Sequence, residues 1–379
     1  MVANTKPSVL ILGVLDPTSA HVVRYIVETG AAGQVRVATF NPLATCRFST
    51  PCANALARVE CMQTNPNQPE SLNAAFKRSQ DQGPWDYVFF FGDMRPGQSE
   101  QIYRLRISEP AQAVAQKARA AGVKLLVYLS SSLFYEKNSI SKPNTEDAPM
   151  KPAHAVHRAI NQLEKAMNET QGLCTIGLRS AITYGPEMYG KMFVPIAVAR
   201  VHQELGDPVH SLVPADAPHH MVHINDLARA FWHTAQWRSR TQNLPEKLTF
   251  NVAQPIGNDP GRVASILESI FGVKTIFHNN FIGKAMSLAA TLLSFQDDLN
   301  ERLLGPWSRL LAESNIEYTP VSPYIEKELL GGNKFSIDGT RITKMTEFKY
   351  KHAAVTEEEF REAIREAQQM RFWPIKDIV

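Results

Sequence analysis

The chain has 379 residues, of which 44% are hydrophobic and 20% are charged, and its formal net charge is only +3. These proportions are ordinary for a globular protein, and a chain of this length can bury a large core. The basic residues are dispersed along the sequence and form no stripe that could follow a phosphate backbone. Composition therefore predicts a globular protein and argues against a nucleic-acid-binding one.

Four cysteines are too few, in a chain this long, to form a disulfide framework. Cys46, Cys52 and Cys61 are near one another in sequence, but they lack CxxC spacing and a nearby histidine, so we expect no zinc site among them. Reduced thiols are typical of a cytoplasmic protein, which is the location we expect. The longest apolar stretch, 281–295, is interrupted by Lys284 and is too short to span a membrane. We interpret it as a buried helix or a lid helix.

The first half of the chain alternates short strand patterns with helical patterns, which is typical of βαβ units on a parallel sheet. Strands are predicted at 8–12, 35–40, 87–91, 125–129 and 173–178, and helices at 21–29, 111–121 and 156–168. Gly30 marks the expected end of the first helix. The second half is looser and richer in proline. Its final helix, predicted at 356–370, opens with Thr356 followed by Glu359, which is a capping-box pattern.

Six segments occur in an order and spacing that are typical of one enzyme family. They are VLILGVLDPTSAHVVRYI, DYVFFFGD, VYLSSSLFYE, TEDAPMKP, LRSAITYGP and VHINDLARAF, and they cover about residues 8–233. This combination resembles the extended short-chain dehydrogenases, the NAD-dependent epimerase/dehydratase family. Segments at 92–98, 300–307 and 319–330 further resemble one eukaryotic branch of that family.

The resemblance implies an α/β fold, with a Rossmann-type doubly wound parallel sheet and a smaller, mainly helical C-terminal portion that binds the substrate. We place the Rossmann-type core, which is the former dinucleotide-binding half, at 1–185. The substrate-binding or lid portion then covers 186–379 and is interleaved with the last strands of the core.

The resemblance also implies a dinucleotide whose diphosphate lies on a glycine-rich turn at the start of the first helix. The family's three glycine positions fall here on Gly13, Asp16 and Ser19. Asp16 would put negative charge beside the diphosphate, and Ser19 adds bulk. Asn41 stands where NAD-using members often carry a ribose-binding aspartate; it can still bond a hydroxyl, and Arg47 could reach a 2′-phosphate. We interpret this cofactor site as vestigial and expect no cofactor.

Catalysis in the family depends on a Tyr-x-x-x-Lys pair, in which the lysine lowers the tyrosine pKa for proton transfer. Aligned on Pro152 and Glu164, this pair falls on Val156 and Ile160, neither of which can exchange a proton. The accompanying serine of the family is retained as Ser131. The sequence therefore predicts that the redox machinery has been lost.

Other polar residues could take over part of that chemistry. His154 and His157 flank the lost tyrosine and could act as an acid or base, although surface histidines are the simpler interpretation. Asp93, Arg95 and Gln98 follow a strand end, where open α/β sheets bind ligands. The candidate catalytic residues are Ser131, Asp93, Tyr184, Tyr135, His154 and His157. The candidate substrate contacts are Arg95, Gln98, Val156, Ile160, Ile182, Met188 and Met192.

One of these residues also has a simpler explanation, and one histidine cluster is set aside. Tyr184 belongs to the YGP segment, which closes the pocket in relatives, but packing alone would explain it. His219, His220 and His223 look like metal ligands, yet alternating residues of a strand face opposite ways. We therefore expect no metal.

Three functions remain open. The first is a cofactor-independent enzyme of secondary metabolism that cyclises, isomerises or dehydrates an apolar small molecule, a Diels–Alder-type ring closure included. A shaped cavity and a few hydrogen-bond donors suffice for such chemistry, and the methionine-rich substrate half suits an apolar ligand; the assignment rests on analogy with other repurposed folds. The second is an NAD(P)-dependent reductase or epimerase with unusual catalytic residues. The third is a non-catalytic binding or regulatory protein. A homodimer is compatible with all three.

Overall fold

The computed structural model describes residues 6–375, except 80, 81, 96, 140, 191, 212, 279–294 and 326–334. The strands are β1 Ser8–Gly13, β2 Gln34–Thr39, β3 Glu60–Gln63, β4 Tyr87–Phe91, β5 Leu125–Ser131, β6 Thr175–Ser180, β7 Ile182–Tyr184, β8 Val209–Ser211, β9 Met221–His223, β10 Lys247–Val252 and β11 Thr275–Phe277. The helices are α1 Pro17–Glu28, α2 Thr50–Leu56, α3 Pro69–Phe76, α4 Glu100–Tyr103, α5 Glu109–Ala120, α6 Ala155–Glu169, α7 Phe193–Leu205, α8 Ile224–Arg240, α9 Pro260–Phe271, α10 Phe295–Glu313, α11 Thr340–Thr346 and α12 Glu357–Gln369. A π-helical turn, Arg104–Ser108, joins α4 to α5.

The central sheet has seven parallel strands in the order β3-β2-β1-β4-β5-β6-β10. The order reverses between β1 and β4, and such a switch point opens a ligand crevice at the carboxyl ends of the strands. Every residue of β1, β4, β5 and β6 is buried, as expected of strands with helices on both faces. The Rossmann-type fold predicted from the sequence is thereby confirmed.

Alternate residues of β4 enter two separate hydrophobic clusters on the two faces of the sheet. Phe89 and Phe91 pack against Phe231 of α8, with ring centroids 5.5 and 4.8 Å apart. Phe90 enters the opposite cluster together with Ile107. Full burial of one such side chain stabilises a fold by about 1.5–3 kcal/mol, so β4 anchors both layers.

The C-terminal portion is built on this sheet and around it. Strand β10 adds to the main sheet beside β6, while β7 with β9 and β8 with β11 form two small parallel pairs. Helix α12 has the predicted capping box: the Thr356 hydroxyl accepts from the Glu359 amide (3.3 Å), and the Glu359 carboxylate accepts from the Thr356 amide (2.9 Å).

Two strands of the central sheet, β3 and β10, were not predicted from the sequence, and each has a physical reason. Strand β3 lies at the edge of the sheet with all its residues at least partly exposed, so no apolar run marks it. Strand β10 alternates charged, polar and apolar residues, because only its second half is buried.

The segment interpreted as a lid helix, 281–295, lies outside the described residues except for Phe295, which begins α10. Among the described helices, none is long and apolar enough to cross a membrane.

Candidate functional site

The turn between β1 and α1 retains the first family glycine for a structural reason. Gly13 has a φ of 123°, and a Cβ atom on it would lie 2.0 Å from the carbonyl oxygen of Phe91. That same carbonyl accepts a hydrogen bond from the Val14 amide at 2.9 Å. Glycine is therefore required here by the close approach of β4, whether or not a ligand binds.

The other two glycine positions form a capping box at the start of α1. The Asp16 carboxylate accepts a hydrogen bond from the Ser19 amide (2.9 Å), and the Ser19 hydroxyl oxygen accepts one from the Asp16 amide (3.0 Å). The Asp16 carboxylate thus lies at the positive end of the helix dipole, the position of the diphosphate in a glycine-rich dinucleotide turn. These residues do not fit a dinucleotide, because an amide that would bind its phosphate is already bonded and a negative charge stands beside it.

The side chain of Asn41, at the expected ribose position, is hydrogen-bonded to the same turn. Its side-chain oxygen accepts from the Leu15 amide (2.7 Å) and the Thr39 hydroxyl (2.6 Å). Its side-chain nitrogen donates to the Leu15 carbonyl (3.2 Å) and to the sulfur of Cys46 (3.1 Å). An amide side chain has two donors and two acceptor sites, so Asn41 has none left for a ribose hydroxyl.

A cleft of about 960 Å³ lies over the carboxyl ends of β1, β2 and β4, at the switch point of the sheet. Asp93 is buried in its wall and pairs with the exposed side chain of Arg95, at 2.7 and 2.5 Å, and with Arg106, at 3.1 Å. Burial alone would raise the pKa of Asp93, but the hydrogen bonds from the two arginines outweigh it and hold the pKa below its usual range. Asp93 is therefore an ionised carboxylate held between cations.

Tyr135 lies in a buried polar network behind the end of β5. Its hydroxyl donates to the Asn251 side chain (2.7 Å) and accepts from Arg179 (3.1 Å). Arg179 in turn forms a two-point ion pair with Glu164, at 2.8 and 2.6 Å. Burial raises the pKa of Tyr135, so its hydroxyl is a neutral donor.

The remaining candidates from this part of the sequence lie at the end of β5 and on α6. Ser131 is buried, and its hydroxyl oxygen accepts from the amide of Leu133 (3.2 Å). His154 is exposed just before α6, while the ring of His157 stacks on Phe134 with centroids 5.2 Å apart.

The two positions of the lost catalytic pair differ in their surroundings. Val156 is partly buried at the start of α6. Ile160 is 2% exposed and belongs to the hydrophobic cluster between α6 and the sheet. The sequence suggested both as substrate contacts, and the structure gives Ile160 a packing role.

Tyr184 is fully buried and begins a chain of polar groups in the C-terminal portion. Its hydroxyl accepts from Gln254 (2.6 Å) and donates to the Glu359 carboxylate (3.3 Å). The other oxygen of Glu359 lies 2.6 Å from Nδ1 of His352, whose ring stacks on His223 at 3.7 Å. Sequence analysis saw Glu359 only as a helix cap and missed His352, because these contacts join residues far apart in the chain.

The three clustered histidines have separate surroundings. His219 meets the ring of Phe335 edge-on, and Nδ1 of His220 lies 3.0 Å from the carbonyl oxygen of Phe335. His223 caps α8 by accepting a hydrogen bond from the Asn225 amide (3.2 Å). The three rings therefore have different neighbours, and His223 lies with His352 and Glu359 instead of with His219 and His220.

A second, apolar cavity of about 280 Å³ lies in the C-terminal portion, between α7, α9, β8 and β11. Two predicted substrate contacts, Ile182 and Met192, line it, and α9 contributes Val263. Met188 is partly buried and Gln98 is exposed, and neither is among the described residues that line this cavity or the cleft. The sequence did not identify the part of the wall that α9 contributes, because an apolar helix face has the same sequence pattern whether it packs in the core or lines a cavity.

The strand order and the cleft at the switch point define a Rossmann-type protein with the architecture of an extended short-chain dehydrogenase. The NAD-dependent epimerase/dehydratase family model matches residues 57–253, which is more than half of the chain, and the chain belongs to that family. The match begins after the β1–α1 turn, where the sequence departs from the family pattern. A comparison with curated proteins gave no match.

Several solved structures with the same fold are epimerases of low sequence identity. One UDP-glucose 4-epimerase superposes with a TM-score of 0.66 at 13% identity, over 97% of this chain and 99% of the other. The Thermotoga maritima UDP-glucose 4-epimerase with UDP-glucose gives 0.63 at 16%, over 96% and 99%. The Thermus thermophilus UDP-glucose 4-epimerase with NAD gives 0.60 at 15%, over 95% and 99%. At these identities the likeness concerns the fold alone.

Proposed function

We propose that this chain is a cofactor-independent cyclase, isomerase or dehydratase that acts on an apolar small molecule. The observation that carries the proposal is the capping box between Asp16 and Ser19. A dinucleotide diphosphate would have to displace this internal carboxylate from the start of α1. Losing such a cap costs about 0.5–2 kcal/mol, and the displaced negative charge would still lie beside the phosphates.

The apolar cavity supports the proposal that the substrate is an apolar small molecule. Its volume of about 280 Å³ is near the lower end of the range for small-molecule sites, roughly 300–1,000 Å³. The side chains of Ile182, Met192 and Val263 would hold a flexible substrate in a reactive conformer, which can remove much of an entropic barrier. Ring closure of the Diels–Alder type is one reaction that such a chamber can accelerate without a hydride carrier.

Two polar side chains at the cavity wall are already engaged with the protein. The Asn258 side chain donates to Gln254 (2.8 Å) and accepts from the Val355 amide (2.8 Å). The hydroxyl of Ser211 donates to the Val213 carbonyl (2.8 Å). These contacts give Asn258 and Ser211 structural roles, which leaves His210 and His219 as the polar candidates of this cavity wall.

A second candidate function is an NAD(P)-dependent reductase or epimerase that uses unusual residues. One observation favours it: the cleft of about 960 Å³ remains open at the switch point, with Arg47 and Arg95 exposed along it. In that function the anionic ligand would be held by these arginines instead of by the start of α1. A regulatory binding protein is the third candidate, and the homodimer and the cytoplasmic location stay predictions from the sequence.

The test combines a binding measurement with an activity measurement. Calorimetric titration with NAD(H) and NADP(H) should show no binding tighter than about millimolar, a scale of roughly −4 kcal/mol. Incubation with candidate polyenes, without any added cofactor, should yield cyclised or isomerised products. Micromolar binding of either dinucleotide, together with turnover only in its presence, would overturn the proposal in favour of the reductase or epimerase.

A further inference from the structure

Three residues that are distant in sequence meet in a buried cluster away from both cavities. His21 lies on α1, Cys52 on α2 and Glu187 in the loop after β7, and their side chains are almost fully buried. One nitrogen of His21, the sulfur of Cys52 and one carboxylate oxygen of Glu187 all lie within 4.8 Å of one another. No spacing pattern in the sequence brings these residues together, so sequence analysis could not find them.

The ring of His21 is oriented as a metal-binding imidazole usually is. Its Nδ1 atom lies 3.3 Å from the side-chain oxygen of Asn225, an outer partner that places the ring proton on Nδ1. The lone pair of Nε2 then faces the cluster, where Nε2 is buried and makes no hydrogen bond to any of the described residues. Its distance to the Glu187 carboxylate is 3.5 Å. Two ligands of one tetrahedral zinc ion, each about 2.0–2.1 Å from the metal, are separated by roughly 3.3 Å.

The charges around the cluster also call for a cation. Glu187 is held by hydrogen bonds from the amide and the hydroxyl of Ser49. A second carboxylate, that of the partly buried Glu366, accepts a hydrogen bond from the Glu187 amide (2.7 Å). Arg24, one turn along α1 from His21, is paired with Glu28 at 2.8 Å. Buried carboxylates are unfavourable unless a positive charge compensates them.

We propose that His21, Cys52 and Glu187 bind a zinc ion. A set of one nitrogen, one thiolate and one carboxylate suits Zn²⁺, with a water molecule as the fourth ligand. Binding releases the Cys52 proton to solvent and forms the zinc–sulfur bond, with no change of oxidation state. The ion links α1, α2 and the loop after β7, and it thereby holds the start of the C-terminal portion against the first two helices of the chain. This site is independent of the proposed function.

The experiment measures metal content and metal spectroscopy on the full chain. Protein purified with zinc present and then dialysed should retain one equivalent of zinc by mass spectrometry. Replacement by Co²⁺ should give a sulfur-to-cobalt charge-transfer absorption. Cys52→Ser and His21→Gln should lower zinc retention at least tenfold, and Cys52→Ser should remove the charge-transfer band. The matched control Cys61→Ser, which changes a partly buried cysteine of β3, should change neither readout.

Two results would overturn the zinc site. One is the absence of stoichiometric metal in the wild-type chain, combined with no charge-transfer band when Co²⁺ is added. The other is zinc retention that is the same in Cys52→Ser as in the wild type, which would mean adventitious binding elsewhere. If the variants fail to fold, the cobalt spectrum of the wild-type chain still decides, because a thiolate ligand has a distinct absorption. A direct contact of His21 with Glu187, without an ion, is then the remaining explanation of the cluster.

Discussion

Asp16 and Ser19 hydrogen-bond each other's backbone amides at the start of α1. Viewed in the sequence alone, they are two separate losses of glycine from a phosphate-binding turn. In the structure they are one interlocked unit, in which each residue satisfies an amide that the helix itself cannot satisfy. An internal anion thus caps the start of this helix, where the family pattern places the phosphate of an external ligand.

Restoring glycine at both positions should separate these two effects. We expect Asp16→Gly/Ser19→Gly to lower the free energy of unfolding by about 1–2 kcal/mol, because the cap is lost. The same variant should bind NAD at least tenfold more tightly than the wild type, since the helix start becomes accessible to phosphate. Urea unfolding and calorimetry measure the two quantities.

The control for this pair is Asp16→Asn, which keeps a capping oxygen and removes the charge. Its free energy of unfolding should stay within about 0.5 kcal/mol of the wild type, and it should still bind NAD poorly, because the Ser19 amide remains bonded. Tight NAD binding by Asp16→Asn would show that charge alone keeps the dinucleotide out.

The lost catalytic pair provides a second prediction. Ile160→Lys should lower the free energy of unfolding by about 3 kcal/mol or more, because it buries an unpaired charge in the cluster under α6. Val156→Tyr should be tolerated, since that side chain is only partly buried. The double variant should show no dehydrogenase activity with added NAD. Activity there would contradict the view that the Asp16 turn excludes the cofactor.

How far the sequence could predict this molecule depends on the range of the contacts. Tyr87–Phe91 was predicted with both ends correct, because a parallel strand buried on both faces is one continuous apolar run. The ion pair between Asp93 and Arg95 is also a local contact, because the two residues are only two positions apart in the sequence. In contrast, the hydrogen bonds between Asn41 and Leu15 and between Tyr184 and Glu359 join residues that are far apart in the sequence and meet only in the folded chain. No periodicity encodes such pairs, so the sequence predicted a vestigial cofactor site but not the hydrogen bonds within it.

A third prediction concerns the pair formed by His352 and Glu359, which lie 2.6 Å apart. The hydrogen bond that His352 donates to Glu359 raises the pKa of His352 above its usual 6.5. Burial alone would raise the pKa of Glu359, but this hydrogen bond from His352, with those from Thr356, outweighs it and lowers the pKa below 4.5. Burial also lowers the pKa of His223 to about 3, so the ring stacked on His352 stays neutral. Asp226, which accepts from the His352 amide (2.8 Å), favours the charged ring.

The sign of the pH dependence follows from these two shifts. The raised pKa of His352 contributes stability that is complete below pH 6.5 and is lost as the pH rises through the folded value. The lowered pKa of Glu359 contributes stability that is complete above pH 4.5 and is lost as the pH falls. Wild type and Glu359→Gln should therefore differ most between these two values, by about 1 kcal/mol. Glutamine can keep the capping box, so a difference independent of pH would contradict the ion-pair explanation.

The last prediction separates catalysis by shape from catalysis by a single acid or base. If the apolar cavity holds the substrate in its reactive conformer, Val263→Trp should fill it and abolish turnover. Glu268→Trp, on the exposed side of the same helix, is the matched control and should leave the rate unchanged.

Ser131, Asp93 and Tyr184 are not among the described residues that line the apolar cavity, so losing one of these polar groups should cost little of the rate. Ser131→Ala, Asp93→Asn and Tyr184→Phe should each leave the rate within about tenfold of the wild type. All variants are compared at saturating substrate after circular dichroism has shown that they fold. Suppose instead that one polar variant alone abolishes turnover while Val263→Trp stays active. Then a true general acid or base operates outside the apolar cavity, and conformational selection in that cavity is not the source of the rate.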